Sequence, residues 1–148
     1  MPYCSYSILL AEDDPDDCQL FTEALSDLAI KQRPIIIHDG EQLVQYLRDT
    51  VILPDLLFLD INMPFKDGLT ALQEIKAEEH LRHLPIVMFS TTKDLGTVQK
   101  AYQSGASLYA CKPSGYTLLV NLLQRILSLD VTGLLAHRTP DRFVMKAE

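Results

Sequence analysis

Leu56-Leu57-Phe58-Leu59-Asp60-Ile61-Asn62-Met63-Pro64 is the stretch on which the fold turns. Its four leading apolar residues, with no polar alternation, read as a strand buried on both faces. An acid directly after such a run lands at the carboxyl rim of a sheet. A second run, Ile8-Leu9-Leu10-Ala11, is followed in the same way by Glu12-Asp13-Asp14. If the two strands are parallel neighbours, three or four carboxylates converge on one pocket. Crowded carboxylates repel each other unless a hard cation joins them, and Mg2+ is the expected ion.

Working outward, further apolar runs follow at Ile35-Ile37, Ile86-Phe89 and Leu108-Cys111. Helical spacing fills the intervals. Cys18, Phe21, Leu25 and Leu28 share one face, and Leu43, Val44 and Leu47 mark the next helix. Leu69, Leu72 and Ile75 mark a third, while Leu119, Leu122, Leu123 and Ile126 mark the last. Between Asp94 and Ser104 a weaker stripe is given by Leu95, Val98, Ala101 and Tyr102, with Gly105 as its stop. Pro15 and Asp39-Gly40 are boundary signals. Strand and helix alternating five times predict an α/β protein with a parallel sheet covered on both faces. An open, doubly wound sheet is the expected form, with ligands at the carboxyl ends of its strands.

Bulk properties narrow the function classes. At 148 residues, 47% hydrophobic and 22% charged, the chain fits one domain with one core. Its formal net charge of -7 argues against non-specific nucleic-acid binding, which needs a basic footprint. Cys4, Cys18 and Cys111 are odd in number and widely spaced, so neither a disulfide framework nor a zinc site is expected. There is no signal-peptide pattern and no run of membrane-span length, which makes a cytoplasmic protein with no membrane partner the expectation. The expected layout is an N-terminal arm (1–6), a main domain (7–128) and a C-terminal extension (129–148) with no output domain. In that extension Val131, Leu134 and Leu135 either prolong the last helix or pack back on the body, and Phe143-Val144-Met145 is an isolated apolar patch.

Three more groups fall at predicted strand ends: Glu12 beside Asp13, Ser90 after the fourth run, and Lys112 after the fifth. Together they suit phosphoryl transfer to a carboxylate, whose transition state needs charge neutralisation more than acid–base chemistry. Mg2+ and Lys112 would neutralise phosphoryl oxygens, and Ser90 could donate a hydrogen bond. Simpler roles stand beside these. A lone acid at a strand end is usually a cap, and Asp14, Asp16 and Asp17 read as a solvated acidic helix start. Thr92 or Asp94 is the better cap for the helix after Ser90, and Tyr109 taken alone reads as half-buried core. The four histidines share no spacing that implies a metal or catalytic pair.

With these residues in place, the chain resembles the receiver domain of bacterial two-component response regulators. The matching motifs are Ile8 to Pro15, Asp39-Gly40, Leu59 to Pro64 with Asp67-Gly68, Pro85 to Ser90, and Gly105 to Tyr109 before Lys112-Pro113. They run in order through nearly the whole chain, each at a strand end. The resemblance implies a flavodoxin-like sheet of five strands in the order 2-1-3-4-5. It also implies Asp60 as phosphoacceptor, with Mg2+ touched by Asp13, Asp60 and the Asn62 carbonyl and by Glu12 through water. Ser90 and Tyr109 match the switch pair, and Lys112 the lysine that meets the phosphoryl group. Glu12 and Ser90 stand where Asp and Thr are commoner, and both substitutions keep the chemistry. A narrower resemblance, to single-domain receivers serving bacterial phytochromes and hybrid sensors, rests on Lys76 to Leu84 and the C-terminal extension.

The implied function is that of a signalling switch, not an enzyme, phosphorylated by a histidine kinase and acting by protein contact. The alternative is a relay intermediate or phosphate sink that feeds a histidine phosphotransfer protein. The face built by the fourth helix, fifth strand and fifth helix, continued by Leu119, Leu123 and residues 131–135, is the candidate homodimer or partner contact. A flavin carrier of similar fold needs a phosphate-binding loop where this chain has acids. An aspartyl phosphatase usually has an acid where this chain has Asn62.

Overall fold

Continuous apolar runs become central strands because both their faces find helices to cover them. In the computed structural model, which describes residues 2–147, β1 (Ile8–Ala11), β3 (Leu56–Leu59), β4 (Ile86–Ser90) and β5 (Leu108–Cys111) are buried throughout. β2 (Ile35–Ile37) lies at one edge and leaves Ile35 exposed. The sheet is wholly parallel in the order β2-β1-β3-β4-β5, continued by a sixth strand, β6 (Val144–Met145). In this register Leu10 faces Phe58 and Leu59 faces Met88, which aligns the carboxyl ends of β1, β3 and β4.

Helices divide between the faces. On one side α1 (Pro15–Asp27) packs against α5 (Tyr116–Leu127) over a core that includes Phe21, Phe58 and Phe89. Those rings meet edge to face at 5.0–6.0 Å. On the other side lie α2 (Gly40–Asp49), α3 (Gly68–Ala77) and α4 (Leu95–Gln103), over Leu43, Leu57, Leu72 and Met88. α1, α2, α3 and α4 each start on an aspartate whose carboxylate accepts a backbone N–H of the first turn: Asp14, Asp39, Asp67 and Asp94. Gly105, at φ 97°, turns the chain out of α4 into β5.

Three expectations need correction. The apolar patch at Phe143 is the approach to β6, not a loose end of the tail, so the sheet has six strands rather than five. β6 forms because β5 offers an unpaired edge: the Tyr109 N–H donates to Phe143 O at 2.9 Å, and Ala110 faces Met145. A short helix, α6 (Val131–Ala136), is capped by Asp130 and lies between α5 and this strand. Secondly, α4 buries only Ala101 fully, and Leu95 is 84% exposed instead of joining a core stripe. Thirdly, Leu119 and Leu123 face the sheet and are buried, so they add nothing to an outer contact face. The outer surface there is built from α4, α6 and β6. No helix is long and apolar enough to cross a membrane among the described residues.

Candidate functional site

β1 and β3 are neighbours, so the residues that follow them meet at one rim of the sheet. Glu12, Asp13 and Asp60 each offer a carboxylate oxygen within 4.8 Å of the others. Glu12 and Asp60 are 2% and 6% exposed, whereas Asp13 is open to solvent. The loop after β3 is held by local bonds: Asp60 N–H donates to Ala11 O, and Ile61 N–H donates to Asp60 Oδ1 at 2.8 Å. Gly68 lets this loop close. A Cβ there would stand 2.1 Å from the Asp60 carbonyl oxygen, a distance that no side chain tolerates.

Lys112, carried in by β5, is the cation of the site. Its amine lies 3.3 Å from Asp60 Oδ2 and 3.1 Å from Asp17 Oδ2, and it also contacts Glu12 Oε1. Burial works against its charge, but the Glu12, Asp60 and Asp17 carboxylates outweigh that and make the amine more basic than a free lysine. Glu12 is displaced the other way from an ordinary carboxylate. Burial pushes it up to about 7, with Lys112 opposing and the Asp60 charge adding to the rise. Three carboxylates at one rim, with Glu12 and Asp60 buried and Asp13 open to solvent, make a donor set that fits a divalent metal with oxygen preference.

Ser90 ends β4 fully buried, and its Oγ accepts the Thr92 N–H at 3.2 Å. Tyr109 is also fully buried, and its hydroxyl donates to Thr92 O at 2.7 Å. Its ring lies 6.4 Å from that of Phe143, so the approach to β6 fills the space outside it. Tyr109, which taken alone reads in the sequence as half-buried core, is thus wholly inside the structure. Asn62 follows on the same loop with its side chain exposed.

Asp17 is the site residue that sequence reasoning missed. It reads as one more acid in a solvated helix start, yet its carboxylate reaches Lys112, which lies 95 residues away. Its place on the first turn of α1, facing the next strand end, was the available signal. The histidines gather at no such site, although His38 Nδ1 lies 3.1 Å from Glu12 O.

The family's sequence model, described as the response regulator receiver domain, matches residues 8–124. The chain belongs to that family. It is a receiver of two-component signalling, of the kind phosphorylated on aspartate. It is 32% identical to response regulator Rcp1 of Synechocystis sp. over 124 residues, covering 80% of this chain and 84% of that protein. Among solved structures, the phosphorylated cyanobacterial phytochrome response regulator RcpA superposes with a TM-score of 0.77 at 30% identity, covering 82% of this chain and 91% of that one. The Mn2+-bound form of Rcp1 superposes with a TM-score of 0.75 at 31% identity, covering 83% and 92%. The receiver relatives are signalling proteins, and this receiver carries the acidic cluster for a divalent ion.

Proposed function

We propose that Asp60 is the phosphoacceptor of this receiver, and that Asp13, Asp60 and the Asn62 carbonyl bind Mg2+ directly, with Glu12 acting through water. The observation that carries this reading is the Lys112 amine at 3.3 Å from Asp60 Oδ2, on the rim where Glu12 and Asp13 also converge. An Asp60 oxygen attacks the phosphorus of a kinase phosphohistidine. The new P–O bond forms as the P–N bond breaks, and the electron pair returns to the imidazole. When bound, Mg2+ supplies charge neutralisation at the phosphoryl oxygens. Lys112 exchanges part of its contact with Asp60 for a phosphoryl oxygen, and the Ser90 hydroxyl donates to another.

Ser90 and Tyr109 are the switch pair in this reading. Both meet the loop at Thr92, so a pull on Ser90 Oγ moves the carbonyl that holds the Tyr109 hydroxyl. Output is by protein contact and not by turnover of a substrate. The donor is a cytoplasmic histidine kinase of phytochrome-like or hybrid type, a choice supported by the phytochrome regulators among the relatives. Residues 7–128 act as the receiver and 129–148 as an extension that builds its outer contact surface, including any homodimer contact.

The test is to incubate the protein with Mg2+ and a phosphorylated sensor kinase, then read intact mass. We expect a gain of one phosphoryl group on the native chain and none on Asp60→Asn. Full labelling of that variant would overturn the assignment.

A further inference from the structure

At the end of the sheet opposite Asp60, a cavity of about 190 Å³ opens between the end of α3, the turn before β4, the start of β5 and α6. Four basic residues line it, Lys76, Arg82, His83 and Arg138, together with Ser107 and Leu134, and no carboxylate does. The Lys76 amine donates to Arg82 O and Leu84 O at 3.0 and 2.9 Å. Arg138 Nη1 donates to Tyr102 O and Ala106 O, both at 2.9 Å, while its guanidinium lies 4.1 Å from the Tyr102 ring centre.

Those bonds hold the two cations in place without neutralising them, because a carbonyl carries only a partial charge. The chain's other half-buried lysine and arginine side chains are paired with acids: Lys66 with Glu41 and Glu74, and Lys112 with three carboxylates. Among the described residues, none of the four cavity residues has an acid within ion-pair distance. Lys76 and Arg138 thus differ from the chain's other half-buried lysines and arginines in having no acid partner. Lys76 is penalised by burial and by the nearby Arg138 charge, so a negative group between them would be drawn in. Donors remain for it. Lys76 has used two of its three N–H groups, and the Ser107 Oγ accepts the Ile86 N–H at 3.2 Å, which leaves its hydroxyl proton free to be donated.

We propose that this cavity binds a phosphate-type oxyanion. Lys76 and Arg138 form its floor, Arg82 and His83 its rim, and Leu134 gives an apolar wall against the body of an organic phosphate. Because Arg138 and Leu134 belong to the extension and Lys76 to α3, a bound anion ties the extension to the domain. The site is independent of Asp60 and of metal.

The experiment is a titration of the 148-residue Asp60→Asn chain without Mg2+, followed by backbone amide shifts of His83, Gly105, Ser107 and Arg138. Sodium phosphate and phenyl phosphate are the probes, against sodium chloride at matched ionic strength. We expect saturable shifts with both phosphates and affinity about tenfold weaker in Lys76→Met and in Arg82→Ala, as loss of a charged hydrogen-bonding group implies. Tighter binding of phenyl phosphate assigns the site to a phosphorylated compound, and equal binding assigns it to the inorganic ion. Shifts that follow ionic strength alike in chloride would overturn the proposal. So would unchanged titration of Arg82→Ala, whose exposed side chain makes no hydrogen bond or ion pair among the described residues, so that its folding is not at issue.

Discussion

At the scale of single residues, the site is an exercise in unequal burial. Glu12 and Asp60 are nearly inaccessible while Asp13 is not, and one lysine serves several acids. The upward displacement of the Glu12 carboxyl has a consequence for pH. Its folded pKa of about 7 lies above the ordinary 4.5, so its contribution to stability is fully present below 4.5 and is lost as pH rises through 7. In metal-free protein, thermal unfolding from about pH 5 to 8 should show a decline that Glu12→Gln flattens. An identical decline in that variant would mean that other groups set the slope. Mg2+ affinity should rise over the same window, since the ion competes with the proton, and titration calorimetry at both ends reads it. Asp17 belongs to this scale as well. Asp17→Asn should leave phosphorylation of Asp60 possible but weaken the hold on Lys112, seen as slower labelling with an unchanged fold.

At the scale of elements, two close contacts decide whether the pieces fit. The Cβ of Gly68→Ala would collide with the Asp60 carbonyl, and overpacking of this kind costs about 1–3 kcal/mol. Urea unfolding should show that loss, together with impaired labelling because the Asp60 loop must shift. The second contact is between the extension and β5. Phe143 is buried against Tyr109 and Tyr102, with ring centres 6.4 and 5.1 Å away. Phe143→Ala removes a buried aromatic worth about 3–5 kcal/mol, enough to undock β6. The Tyr109 amide, which donates to Phe143 O, should then exchange faster with solvent, while the amides of β1 and β3 keep their protection. Unchanged exchange at Tyr109 would show that β6 is held by other contacts. Element boundaries follow local chemistry closely where an aspartate caps the helix, as at Asp39 and Asp67. α4 was harder to read, because it buries little more than Ala101 and its periodic apolar residues partly face solvent.

At the scale of the whole molecule, Lys112 meets Glu12 and Asp60, and a divalent ion among the three carboxylates would neutralise the cluster further. Mg2+ at about 100 times its Kd should therefore stabilise the chain by roughly 2.7 kcal/mol. The gain appears as a saturable rise in Tm that Asp13→Asn abolishes and that monovalent salt at equal ionic strength does not reproduce. A rise shared by the variant would place the ion elsewhere. The sequence by itself determined the parallel sheet, the strand ends and the Glu12, Asp13, Asp60 and Lys112 constellation. It could do so because strands buried on both faces leave continuous apolar runs, and a parallel sheet sends every such run to the same rim. Tertiary structure alone decided the contact of Asp17 with Lys112, which depends on how α1 docks, and the inward seat of Tyr109 beneath Phe143. It also decided β6, since a two-residue strand has no period of its own and exists only because the edge of β5 supplies its hydrogen bonds.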